Sequence, residues 1–382
     1  MIKNNRIAVA TFFFVNGFLY ANWTARLPEL QSFFGVSNTG LGSLLLVSAM
    51  GALIAMPFAG WMTTQFGTKR ITTLAALILC AVVPFVPMYA NLLIISFLFF
   101  TLGLASGAMD VAMNGQAVFV ERKWGKPIMS SFHAIFSIGM ALGAFAGSWF
   151  ANIHTDLTIH FFIVAGIGII ACVVAANYLV KDTPSSADLA LQKEDKSESS
   201  FRLPTKAILP LGIIAFCGMT GEGSMADWSA IFMHNEIGES LAFSALAFGS
   251  FSVAMTIGRI FGDYFTEKLG KRKLLICDSL IAIAGLSIAL IFATAWTTLL
   301  GFFLVGLGLA TVVPIIYSAA GNTEGVSPSV GIAMATTIGY AGFFVGPPTI
   351  GFLADVYGLR IGLCFTLLLF TVMFGLILRW KD

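Results

Sequence analysis

The feature that most constrains this chain is a recurrence. Stretches of mostly apolar sequence, each about twenty residues or longer and so able to cross a hydrocarbon layer as an α-helix, fall at 7–33, 40–64, 70–89, 92–119, 128–151 and 159–180. They resume at 207–234, 241–265, 273–293, 296–320, 330–354 and 361–379. Composition excludes the alternative of a soluble helical domain: 58% of the residues are hydrophobic and 10% are charged, against roughly 25% charged in an ordinary soluble domain. Too few polar side chains exist to cover a soluble surface. The 39 glycines and 36 phenylalanines fit close helix approach and a lipid-facing exterior. The expected fold class is an all-α membrane protein with twelve transmembrane helices.

The interruption, 181–206, is rich in Lys, Asp, Glu, Ser and Pro and cannot bury enough apolar surface to fold alone. It reads as a cytoplasmic linker between an N-terminal six-helix bundle at 1–180 and a C-terminal one at 207–382. The first window follows Lys3 and Arg6 and runs on into Tyr20–Glu29 rather than a small-residue cleavage site, so it reads as a retained spanning helix and not a signal peptide. With the N-terminus placed inside, 18 of the 21 Lys and Arg residues fall on the cytoplasmic side. The positive-inside rule therefore puts both termini in the cytoplasm. The basic residues are dispersed, which gives no nucleic-acid surface. The five cysteines form no CxxC, and no Cys/His set has metal-ligand spacing, so neither a metal nor a cofactor is expected.

The halves repeat. Ala21–Ala25 matches Ala226–Ala230, Gly67–Arg70 matches Gly270–Lys273, and Phe99–Gly103 matches Phe302–Gly306, at offsets of 205, 203 and 203. Two parallel six-helix repeats imply a pseudo-two-fold axis, an arrangement that in transporters built this way goes with a substrate site near the membrane midplane. Gly60, Gly67, Lys69 and Arg70 resemble the loop signature between helices two and three of the major facilitator superfamily. Gly258, Arg259, Gly262 and Asp263, followed by Gly270–Arg272, resemble its second-half counterpart. Gly103–Asp110 with Asn114 resemble the fourth helix of fucose-permease-like and rhizopine-transporter-like proteins. The resemblance implies a secondary transporter of the bacterial inner membrane, working as a monomer among membrane lipids. It also implies an inward gate built on Lys69, Arg70, Arg259 and Asp263. Thr64 stands where the first copy usually has an acid, so the latch is expected to rest on Asp263 and Arg259 alone.

Ionisable groups at membrane depth are costly, about 2.5–3.5 kcal/mol on insertion scales, so each one counts. Asp110 and Asn114 lie i, i+4 on one face. Asp110 reads either as a proton-binding acid with Asn114 binding substrate, or as a structural acceptor. Glu222 and Asp227 on the seventh window are further proton candidates, and Gly221 and Gly223 around the glutamate predict a bend or break. Trp23 and Trp228, beside Asn22 and Asp227, suit a polyhydroxylated ligand or anchor helix ends at the interface. Arg26 and Glu29 form either a rim ion pair or a substrate contact, with Pro28 disturbing the helix locally. His133 faces a cavity or is structural. Tyr317, Asn322, Thr336, Thr337 and Tyr340 are polar positions in apolar context, and Asp278 reads as a packing or gate residue.

No phosphate loop, catalytic triad or redox motif is present, so the chain is expected to be no enzyme and to draw on an ion gradient or on the solute itself. The fifth window lacks the Gly-Pro pair expected of drug/proton antiporters, which favours uptake. The expectation is a proton-coupled symporter of a small polar solute, a sugar or sugar derivative, with a proton-driven exporter of drugs or metabolites as the alternative.

Overall fold

The computed structural model describes residues 2–125, 128–181, 208–323 and 328–380. Its elements are α1 (Ile2–Thr24), α2 (Leu27–Phe34), α3 (Asn38–Phe66), α4 (Thr68–Val82), α5 (Leu92–Trp124), α6 (Met129–Asn152) and α7 (Leu157–Ala176). These are followed by α8 (Ile208–Ile231), α9 (Leu241–Leu269), α10 (Lys271–Phe292), α11 (Ala295–Leu309), α12 (Val312–Gly321), α13 (Pro328–Tyr357) and α14 (Leu359–Arg379). Among the described residues there is no strand, and eleven helical stretches are long and apolar enough to cross a membrane. The eleventh window, 330–354, lies on the 30-residue α13. The protein is thus a multi-pass, all-α membrane protein.

Two compact units are present. The first comprises Met1–Gly35 and Val47–Ser200, and the second Val36–Leu46 and Phe201–Asp382. Residues 36–46, which include the start of α3, therefore sort with the second unit, whereas the sequence boundary alone places them in 1–180. Within the second unit the Asp355 carboxylate accepts the first backbone N–H groups of α3, from Asn38 at 2.9 Å and Thr39 at 2.8 Å. The linker, apart from Lys181, lies outside the described residues.

The repeat seen in sequence recurs in packing. In the first unit α1 lies along α6 and α4 along α5; in the second, the equivalent pairs are α8 with α13 and α10 with α11. The sharpest correspondence is a backbone one. Gly67 and Gly270 take the same conformation, φ 84°, ψ 149° and φ 81°, ψ 154°. That left-handed region costs a side-chain-bearing residue heavily, so glycine is what lets each half turn from one spanning helix straight into the next. Glycine also sets helix spacing. A Cβ at Gly103 would sit 1.8 Å from the Ser48 carbonyl oxygen of α3, and one at its repeat partner Gly306 would sit 2.4 Å from the Phe251 carbonyl oxygen of α9. In lipid, such backbone approach supplies the association energy that a hydrophobic effect cannot.

Candidate functional site

In the first unit, α5 carries Asp110 and Asn114 on one face. The Asn114 amide donates to the Asp110 carboxylate at 3.1 Å and to its backbone oxygen at 2.8 Å. Neither of the two ion pairs among the described residues includes Asp110. Beside them, Gly103 and Gly107 press α5 against α3, with a Cβ at Gly107 falling 2.5 Å from the Ala52 carbonyl oxygen. The glycines share the helix face of the polar pair, and Asp110 and Asn114, further along it, are only partly buried. His133, on α6, is exposed, with its ring edge-on to Phe13 at 5.3 Å.

The C-terminal end of α1 is organised differently. The helix breaks at Ala25 and Arg26, and Pro28 enters the first turn of α2, where its missing N–H is harmless. Arg26 is 3% exposed. Its guanidinium bonds Glu29 (Nε to Oε2, 2.8 Å, with a second bond from a terminal nitrogen), the Thr155 carbonyl at 3.1 Å and His160 Nδ1 at 3.2 Å. Arginine can only donate, so His160 Nδ1 accepts and its Nε2–H donates to Asn22 Oδ1 at 2.8 Å. The Asn22 amide then donates to the Phe18 carbonyl at 2.7 Å, and Phe150 stacks on the imidazole at 4.1 Å. The Arg26 guanidinium is thus engaged by Glu29, Thr155 and His160 of its own unit. Trp23 is 6% exposed and meets Phe99 edge-on at 5.8 Å.

In the second unit, Glu222 on α8 pairs with Arg259 on α9 at 3.1 Å, with side chains 25% and 21% exposed. The expected break at Glu222 is absent: α8 runs unbroken from Ile208 to Ile231, and its irregular turn comes later, at Phe232–Glu236. Gly221 and Gly223 instead make room for side chains. A Cβ would lie 2.4 Å from the Phe370 ring at the first and 3.0 Å from the Phe343 ring at the second. Tyr317 reaches Met219 Sδ at 3.5 Å, hydrogen-bonds with Thr336 and lies within electrostatic range of Glu222. Asp227 is 7% exposed and has no hydrogen-bond or charged partner among the described residues. Trp228 is fully buried, its Nε1–H unbonded among the same residues, which removes the interfacial-anchor reading for this tryptophan. Asn322 is exposed at the end of α12, donating to the Ser318 carbonyl at 2.7 Å. Tyr340 is partly buried beside Phe343, ring centroids 5.8 Å apart.

A two-unit helical membrane protein with polar groups at depth in each half narrows the field, and comparison with known families decides it. Residues 8–323 match the family model described as Major Facilitator Superfamily. The chain belongs to this superfamily. It is 33% identical over 370 residues to an uncharacterized MFS-type transporter of Yersinia pestis, covering 97% of this chain and 94% of that one. A quinolone resistance protein, NorA of Staphylococcus aureus, is 24% identical over 87% of this chain and 85% of its own. Among solved structures, the nucleoside transporter NupG superposes with a TM-score of 0.80 at 11% identity, covering 98% of this chain and 99% of that one. A D-xylose-proton symporter gives 0.73 at 14% identity, covering 99% and 98%.

The superfamily's loop residues can now be placed. Thr64, at the position where an acid is usual, donates its hydroxyl to the Trp61 carbonyl at 2.7 Å, and Arg70 is exposed. Arg259 pairs with Glu222, while Asp263 is exposed on the same helix. Sequence reasoning missed His160, which lies 134 residues from Arg26. It also missed the pairing of Asp278 with Thr311. Neither carries a local spacing signal, because both are contacts between helices.

Proposed function

We propose that this MFS transporter carries a small polar solute, a sugar or sugar derivative, inward by alternating access coupled to protons. The observation that carries the reading is Asp110, a carboxylate on a membrane helix served by the neutral amide of Asn114 and by no cation among the described residues. An uncompensated charge at that depth is unfavourable, whereas protonation leaves a neutral, hydrogen-bonded pair. Proton binding then favours the form that crosses the membrane loaded, and linkage ties it to solute binding. Asn114, Trp23, Tyr317, Tyr340, Trp228 and Asn322 are the solute-binding groups of this reading, with His133 beside them. Asp227 and Glu222 are the reserve acids, and Lys69, Arg70, Arg259 and Asp263 serve the inward gate. The chain acts as a monomer in the bacterial inner membrane with both termini in the cytoplasm. Likeness to a nucleoside transporter and a sugar–proton symporter accords with a hydroxyl-bearing solute.

The test is uptake by purified protein in liposomes under an imposed inward proton gradient, across labelled sugars and nucleosides. One solute should accumulate, and a protonophore or Asp110→Asn should abolish accumulation while exchange of solute across the membrane persists. Failure of the whole panel, with a cationic drug driven against the proton gradient instead, would establish the exporter.

A further inference from the structure

The span formed by α11 and α12 is interrupted at Ala310 and Thr311. There the Ala310 N–H reaches back only three residues, to the Leu307 carbonyl at 3.4 Å. The interruption is tightly seated. A Cβ at Gly308 would lie 2.4 Å from the backbone oxygen of Asp278 on α10. One at Gly258 would lie 2.4 Å from Ala310 Cβ, and one at Gly262 2.8 Å from Thr311 Cγ2, both from α9. With the backbone clamped on two sides, the Thr311 hydroxyl has few choices. It donates to the Asp278 carboxylate.

Asp278 is 5% exposed and Thr311 7%. The charged and titratable groups of the surrounding helices go elsewhere. On α10, Lys271 bonds Ser318 at 3.3 Å, Arg272 bonds the Leu378 carbonyl at 2.7 Å, and Lys273 and Cys277 are exposed. On α9, Arg259 pairs with Glu222, Lys268 reaches the Tyr264 hydroxyl at 3.4 Å, and Asp263 and Glu267 are exposed. On α12, Tyr317 faces Met219 and Thr336. On α14, Arg360 caps the Leu290 and Ile291 carbonyls, Cys364 bonds the Arg360 carbonyl at 3.4 Å, and Arg379 is exposed. α11 carries no charged group. A carboxylate has about four acceptor sites, and this one is served by a single hydroxyl.

We infer that Asp278 is a second proton-binding site, separate from Asp110, and that its proton sets the geometry of the break at Leu309–Val312. Ionised, Asp278 holds the Thr311 hydroxyl as donor. Protonated, its own O–H donates to Thr311 Oγ1, and the threonine O–H turns to the Leu307 carbonyl four residues back. Threonine bonding of that kind bends helices. No atom leaves the pair other than the proton, which exchanges with solvent. The inference does not depend on the nature of the solute or on Asp110.

The experiment uses the full chain in phospholipid nanodiscs, without solute. Infrared difference spectra on a pH titration report the carbonyl stretch of protonated carboxylic acids, and amide hydrogen exchange over residues 305–316, corrected for intrinsic rates, reports the break. One carboxylic-acid band should be lost in Asp278→Asn and kept in Asp110→Asn. In Thr311→Val the same band should move to higher frequency, because its hydrogen bond is gone, and the pH response of exchange at the break should vanish. Thr311→Val still reads the site if Asp278→Asn does not fold. A spectrum in which neither variant alters any carboxylic-acid band, or an exchange pattern at 305–316 that ignores pH in the wild type, overturns the inference. Loss of accumulation in Asp110→Asn liposomes with the Asp278 band intact separates the two proton sites.

Discussion

The two ion pairs found among the described residues, one in each unit, are built from the same groups and differ in their surroundings. Arg26–Glu29 sits just past the C-terminal end of α1 with side chains 3% and 15% exposed, and its guanidinium is bonded by three residues of its own unit, Glu29, Thr155 and His160. Arg259–Glu222 joins α8 to α9 at 3.1 Å, with side chains 21% and 25% exposed. A closed, desolvated network fixes a shape, because breaking any member strands the rest. A pair that keeps some contact with solvent can change partners at modest cost. The difference separates an arginine enclosed by its own unit from one that keeps contact with solvent.

The largest effect is expected at the closed network. Arg26→Met should cost about 3–5 kcal/mol, the range for stranding one member of a buried pair, read as a large loss of melting temperature and of monodisperse protein in detergent. His160→Phe keeps the stacking on Phe150 but leaves Asn22 and Arg26 each short of a bond. It should cost about 1–3 kcal/mol. Next comes the partly exposed pair. Arg259→Ala and Glu222→Gln should each change stability by about 1 kcal/mol or less while lowering initial uptake at least about tenfold, the equivalent of about 1.4 kcal/mol. Equal stability losses at Arg26 and Arg259 would erase the distinction.

The smallest effect sharpens it from a third carboxylate. Asp355 stands at the exposed end of α13, beyond the apolar window. Partial burial pushes its carboxyl up, but hydrogen bonds from Thr39 and Ser37 and from the backbone N–H groups of Thr39 and Asn38 outweigh that and hold it at about 2, below the ordinary 3.8. The group is depressed on folding, so its stabilisation is complete above the unfolded value and is lost as pH falls through about 2. The melting-temperature difference between wild type and Asp355→Asn should therefore be constant from pH 7 down to about 4 and narrow below it.

Much of this was legible beforehand. Apolar length gave the spanning windows, and the 203-residue offset aligned Gly67 with Gly270, two glycines that share one backbone conformation. The i, i+4 rule brought Asp110 and Asn114 together because both lie on one helix. Legibility stops where partners come from different helices. Nothing local links Arg26 to His160, Arg259 to Glu222 or Asp278 to Thr311. Gly221 and Gly223 misled for a related reason. A glycine pair can loosen a helix or admit a neighbour's ring, and only packing shows that Phe370 and Phe343 take the space.

Trp228 gives the molecule an optical gauge. Of the seven tryptophans, Trp61, Trp149 and Trp296 are more than half exposed. Trp228 is sealed, with an indole N–H that meets no acceptor among the described residues. An indole in so dry a setting should emit at short wavelength. It neighbours Asp227 in sequence, so a spectral shift to the red would register water or a hydroxyl-bearing molecule arriving beside it, without any label being attached.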